Sequence, residues 1–168
     1  MSQLTHSLDS SLLIREVTGD YRPANADEVL QAAQRVLAEQ MHGCEALNSP
    51  QVVRDFLRVK LGALEHEVFA VIHLDAQNRV IDYVEMFRGT VSQTSVYPRE
   101  VVKEALTRNS AALLLVHNHP SGVAEPSRAD EMLTQTLKSA LALVDVRVLD
   151  HLIVAGSAIL SFAERGLL

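Results

Sequence analysis

The sequence has one cysteine, no tryptophan, 4% aromatic residues and fewer basic than acidic side chains, 15 against 21, in 168 residues. Each shortage excludes something. Cys44 alone closes no intrachain disulfide, supplies no multi-thiolate zinc site and lacks the partner cysteine that zinc nucleobase deaminases need. A single thiol fits a reducing cytoplasm, which is the expected location. With a formal net charge of -6, the chain advertises no broad face for duplex nucleic acid, because that affinity comes from Lys and Arg displacing counterions at phosphates. Apolar runs such as Ala111 to Val116 are a fraction of the roughly 20 residues a bilayer crossing demands, so no membrane partner is expected. Residues 1–24 mix Ser, Asp, Arg and Glu around Leu12-Leu13-Ile14, too short an apolar core for a secretory signal. They are expected to form a flexible amino-terminal arm.

What is present is a 48% hydrophobic chain with strong local periodicity. A domain of this length buries roughly 70% of its unfolded surface and needs no staples. Val29, Leu30, Ala33, Val36, Leu37 and Met41 recur at helical spacing, with Asp27 as a candidate cap and Gly43 as the stop. Ser49-Pro50 opens a second helix carrying Val52, Val53, Phe56, Leu57 and Leu61 up to Gly62. From Glu67 to Leu74 the chain is apolar on both alternating faces, the pattern of a doubly covered strand. Asp75 to Arg79 reads as a turn into a second strand, Val80 to Phe87, giving an antiparallel hairpin. Pro98 opens a third helix, Ala111 to Val116 is a buried strand ending at His117, and Ser127 begins a long helix. Val146 to Val154 and Ala158 to Phe162 close the chain as strands around Gly156. The order α-α-β-β-α-β-α-β-β predicts a three-layer α/β fold, divided into the arm, a helical extension over 25–48 and a core domain over 49–168.

The most informative stretch is His117-Asn118-His119-Pro120, with six residues between Pro120 and Ser127 and two between Ser127 and Asp130. Side chains at i and i+2 of a strand end share a face about 7 Å apart along the backbone, so two imidazoles can converge on one ion at about 2.0 Å. Asp130 returns from the first turn of the next helix as a carboxylate ligand. Two histidines, one carboxylate and one open position describe a catalytic zinc site better than a structural one. Five specified residues at these offsets match by chance on the order of once in 10⁴ chains. The alternatives are histidines that merely line a loop, and Ser127 with Asp130 as a helix capping box.

His117-x-His119-Pro120-x6-Ser127-x2-Asp130 resembles the JAMM motif of the MPN-domain metalloproteases. His117-Asn118-His119-Pro120-Ser121-Gly122, Asp150-His151-Leu152-Ile153-Val154, Gly89-Thr90 and Pro98-Arg99-Glu100 are together similar to bacterial RadC-like proteins, over about residues 50–168. The resemblance implies the MPN fold, cytidine-deaminase-like in its three layers, with a curved mixed β-sheet flanked by helices. It also implies Zn2+ held by His117, His119 and Asp130, Glu67 as general base, and Ser127 as hydroxyl donor to a tetrahedral oxyanion. A carboxylate that opens an apolar, doubly covered strand is independently costly to bury without a purpose, which also points to Glu67. Glu65, taken to share its strand face, and Glu85 are the competitors. His73 on the same face reads as a core histidine or a neighbour of the site, and His151 as a residue supporting the ligands or a strand-end hydrogen bond.

Three functions follow from the resemblance. The first is a zinc-dependent metallohydrolase, a peptidase or isopeptidase acting on a protein or peptide. The second is an accessory role in DNA repair, DNA maintenance or antirestriction without peptidase activity, as RadC-like proteins have been described. Longer members carry a helix-hairpin-helix-like region, whereas fewer than 50 residues precede the core here and form one clear helix, as in short prophage and plasmid forms. That, with the net charge, speaks against direct DNA binding. A non-catalytic MPN scaffold ranks last, because such domains usually lack the metal ligands.

Overall fold

The computed structural model describes residues 12–89 and 95–168. Its centre is two strands whose seven residues are all buried, β3 (Val68–Leu74) and β5 (Ala112–Asn118). Their near-continuous Val, Ile, Leu and Ala content is what a strand covered on both faces requires. They pair antiparallel with Phe69 opposite His117 and Leu74 opposite Ala112. Around them β4 (Val80–Arg88), β6 (Arg147–Ala155) and β7 (Ala158–Ser161) complete a five-stranded sheet of order β4-β3-β5-β6-β7. β5 and β6 run parallel and the other neighbours antiparallel, so the sheet is mixed.

The period of two along the strands separates two cores. Ala70, Ile72, Leu74, Leu114 and Val116 face α1 (Ala26–Met41) and α2 (Pro50–Leu61). Phe69, Val71, Leu113 and Leu115 face α3 (Pro98–Thr107) and α4 (Arg128–Ala142). A short α5 (Phe162–Arg165) and the carboxyl terminus close a third cluster over Ile153, Leu160 and Phe162. The three-layer α/β expectation therefore holds, with the mixed sheet flanked by helices.

Local differences have local causes. Residues 12–24, expected to be a flexible arm, form a two-stranded antiparallel ribbon of β1 (Leu13–Arg15) and β2 (Tyr21–Pro23). Residues 1–11 of that arm, and Thr90 of the Gly89-Thr90 pair, lie outside the described residues. The α1 cap is Asn25 and not Asp27, because Asn25 and Glu28 form a reciprocal capping box while Arg22 grips the Glu28 carboxylate. Ser49 precedes Pro50 at the start of α2 but makes no side-chain cap bond. Strand β5 runs on through His117 and Asn118, so these residues are held by the sheet and not by the loop that follows.

Candidate metal centre

Strand β5 delivers His117 at the end of the sheet, and His119 follows one residue past the strand. The His119 backbone N–H bonds the Val154 carbonyl at 2.8 Å, so β6 still fixes the chain there. The loop then turns at Gly122, whose φ of 77° lies in the left-handed region that glycine adopts without strain. This turn brings the Val123 carbonyl 2.8 Å from His119 Nδ1. A carbonyl only accepts, so Nδ1 carries the proton and Nε2 of neutral His119 presents a bare lone pair.

Asp130 enters from the first turn of α4. Ser127 caps that helix: its Oγ accepts from the Asp130 N–H at 3.2 Å, while Asp130 Oδ2 accepts from the Ser127 N–H at 2.7 Å and from its hydroxyl at 2.6 Å. The capping box is thus real, and it aims the carboxylate instead of competing with a metal role. Asp130 Oδ1 lies 3.2 Å from His117 Nε2, Oδ2 lies 3.6 Å from His119 Nε2, and the two Nε2 atoms are 2.9 Å apart. One ligand atom from each of the three residues falls within 4.8 Å of the others.

Burial alone pushes the Asp130 carboxyl up, but the imidazoles of His117 and His119 facing it, with the hydrogen bond from Ser127, together hold it well below the usual carboxylate range. His119 is raised, chiefly by the Asp130 carboxylate facing it against the cost of burial, with Glu67 adding a smaller attraction. An anionic oxygen facing two imidazole Nε2 atoms is a donor set that calls for a cation. Two imidazole nitrogens and a carboxylate oxygen are ligands of the kind zinc takes.

Glu67 sits immediately before β3. Carrying the Phe69–His117 register two residues further sets position 67 opposite position 119. Its side chain is half-buried, its field is felt at His119, and its carbonyl accepts from the Gly89 N–H at 2.8 Å. The competitors lie elsewhere. Glu65 is exposed in a bend and not on the strand, and Glu85 pairs with Lys60 at 3.1 Å on the α2 side of the sheet. His73 is six residues along β3 from Glu67, roughly 20 Å away, bonded to Ser110 Oγ at 2.8 Å as a core histidine.

Two residues escaped the sequence reading. Asn118, between the histidines, turns to the other face and is buried. Its Oδ1 accepts from the Val68 N–H at 2.7 Å and its Nδ2 donates to the His66 carbonyl at 3.0 Å, so it clamps the backbone on either side of Glu67. Thr134, one helical turn after Asp130, places its hydroxyl 2.6 Å from the Asp130 carbonyl and 2.6 Å from His151 Nδ1. An asparagine ending an apolar strand and a threonine at i+4 from a candidate ligand are the only sequence signals either residue offers. His151 itself is fully buried and held neutral, desolvation pushing its pKa well below the usual imidazole range. Its neighbour Asp150 faces away, accepting from Ser161 Oγ at 2.5 Å and the Ala163 N–H at 2.9 Å to brace the β7–α5 corner.

The RadC-like JAB domain profile matches residues 47–167. The chain is 61% identical over 150 residues to a UPF0758 protein of Leptothrix cholodnii, covering 89% of this chain and 68% of that protein. A UPF0758 protein of Aromatoleum aromaticum is 62% identical over 86% of this chain and 65% of its own length. One from a Polaromonas species is 54% identical over 98% of this chain and 74% of its own. The chain therefore spans about two thirds of the length of these curated relatives.

Proposed function

This chain belongs to the RadC-like JAB domain family, and from that premise we propose that it is a zinc-dependent hydrolase of the JAMM type, cleaving an amide bond in a protein or peptide. The observation that carries the reading is the convergence of His117, His119 and Asp130 with Glu67 close enough to act electrostatically on His119. When bound by the three ligands, zinc supplies Lewis acidity, acidifying water and polarising a carbonyl in the same small volume.

The chain's own residues do the rest. Glu67 takes a proton from the attacking water and returns it to the leaving nitrogen, the general base becoming the general acid. Asn118 keeps that carboxylate at its station by pinning the backbone at His66 and Val68. Ser127 first orients Asp130 through its hydroxyl proton. Donation to a developing oxyanion then requires that proton to turn away from Asp130, a rotation about one bond that a hydroxyl makes freely.

The test is metal content together with cleavage of a peptide library by the full chain, purified without an affinity tag. About one zinc per chain is expected, lost when His117 and His119 are both replaced by alanine. Glu67→Gln should keep the zinc and lose on the order of 10²–10⁴ in rate. Folded wild-type protein that takes up no zinc overturns the reading, and undiminished cleavage by Glu67→Gln removes Glu67 from the mechanism.

A further inference from the structure

We propose that His151 and Thr134 are positioning residues that set the tautomer of His117, so that its Nε2 carries a lone pair to the metal; the inference rests on the metal centre proposed above. A continuous line of contacts leads away from that ligand. His117 Nδ1 is 2.9 Å from His151 Nε2, His151 Nδ1 is 2.6 Å from Thr134 Oγ1, and Thr134 Oγ1 is 2.6 Å from the Asp130 carbonyl oxygen.

The two contacts of the His151 ring hold one proton each, and these protons have two possible polarities. In one, Thr134 donates to His151 Nδ1, His151 Nε2–H donates to His117 Nδ1, and the proton of His117 ends on Nε2, where it blocks a metal. In the other, every donor is reversed and Nε2 is bare. The far end decides between them. The Asp130 carbonyl has no proton to give, and an oxygen–oxygen approach of 2.6 Å needs one, so the Thr134 hydroxyl proton points to that carbonyl. Thr134 Oγ1 must then accept from His151 Nδ1–H. His151 Nε2 is thereby an acceptor, His117 Nδ1–H donates to it, and His117 Nε2 is left as an acceptor; the proton that its 2.9 Å contact with His119 Nε2 needs in the metal-free chain is then carried by His119, whose pKa is raised.

The rings cannot easily escape this order. Thr134 and His151 are both fully buried, and the His151 ring is held between Phe162, at 4.8 Å between centroids, and Phe69, at 6.0 Å. His119 reaches the same end by a different device, donating Nδ1–H directly to the Val123 carbonyl. The two ligands are thus prepared independently, one by a loop carbonyl and one by a side-chain relay that begins on the backbone of the third ligand. A metal-bound histidine whose second nitrogen loses its partner commonly costs 10–100-fold in affinity.

Nitrogen-15 spectra that correlate ring protons with Nδ1 and Nε2, recorded on the metal-free full chain at a pH of about 8.5 where exposed imidazoles are neutral, read the tautomers directly. His117 and His151 should both be Nδ1–H. In competition with a chromophoric chelator, Thr134→Val and His151→Phe should bind zinc about 10–100-fold more weakly. His151→Gln, whose Oε1 can accept from His117 Nδ1–H, should recover part of the loss. Thr134→Val preserves shape, so it carries the affinity test if the His151 variants fold poorly. A metal-free His117 found as Nε2–H, or unchanged zinc affinity in Thr134→Val, overturns the relay even if the wild type holds zinc. Nδ1–H tautomers in a wild type that binds no zinc overturn the metallohydrolase reading and uphold the hydrogen-bond direction.

Discussion

His73 and His117 stand on the same face of the central strands, yet their surroundings make one a candidate ligand and the other a liability at low pH. His73 is fully buried, bonds Ser110 through Nδ1, and its Nε2 meets no hydrogen-bond partner among the described residues. Desolvation, with Arg108 nearby, lowers its pKa to about 4 from 6.5. Above pH 6.5 neither folded nor unfolded chain protonates it. Between 6.5 and about 4 the unfolded chain binds a proton that the native one refuses, so stability falls as pH falls, by up to about 3 kcal/mol. The Asp130 contribution has the same direction but is lost only below its ordinary 3.8. Urea midpoints across this range should decline for the wild type, and the difference between it and His73→Gln should narrow as pH drops. A constant difference would show that His73 does not titrate in this window. At the same scale, Asn118→Ala leaves the buried Val68 N–H and the His66 carbonyl unpaired and should cost about 1–3 kcal/mol. Zinc content should survive while cleavage falls, because the clamp holds Glu67 and none of the ligands. His117, His119 and Asp130 were legible because one short segment contains all three. Asn118 and Thr134 were not, since their meaning depends on β3 and β6 arriving beside them from distant parts of the chain.

Helices and strands followed from periodicity wherever a face is buried. The strand pattern of β3 and β5 and the apolar stripe of α2 match their observed burial almost residue for residue. The β1–β2 ribbon gave no such signal, being two three-residue strands whose side chains are exposed or half-buried. What the pattern also hides is where elements press on one another. Gly62 ends α2 with φ of -64°, a conformation alanine adopts readily, so chain entropy alone predicts that Gly62→Ala stabilises by about 0.4–1 kcal/mol. Packing predicts the reverse. A Cβ there would lie 2.5 Å from the Gly156 carbonyl oxygen in the β6–β7 turn, and that turn cannot withdraw freely because Arg58 Nε donates to the neighbouring Ser157 carbonyl at 2.8 Å. Overpacking of this kind costs about 1–3 kcal/mol, so the thermal midpoint should drop by about 2–10 °C. A rise would mean that the turn relaxes away from the helix.

The whole molecule puts its candidate metal centre and its amino-terminal packing on opposite sides of the sheet. The candidate metal ligands come from β5, the loop after it and α4, whereas α1 covers the other face together with α2, where Phe56, Lys60 and Tyr83 also line a cavity of about 460 Å³. Among the described residues no helix is long and apolar enough to cross a membrane. The family match begins at residue 47, but the fold does not treat that position as a boundary. Met41 and Ala46 are buried in the α2-side core, and Gly43, Cys44 and Ala46 make backbone hydrogen bonds of 2.8, 2.9 and 3.0 Å to the Asn78–Val80 turn. Removing residues 1–46 would uncover the Met41 site and leave those turn groups to water. Burial of one such side chain is worth about 1.5–3 kcal/mol, so with Leu37 and Ala38 also lost, a deficit of about 3–5 kcal/mol is expected against a typical total of 5–15. The fragment 47–168 should therefore unfold at a clearly lower urea concentration than the full chain while still binding zinc in the same ratio. Met41→Ser in the full chain should show a smaller deficit of the same sign, again without loss of zinc. Equal urea midpoints for fragment and full chain would show that α1 is an appendage, and zinc loss in Met41→Ser would show that the two faces of the sheet are coupled.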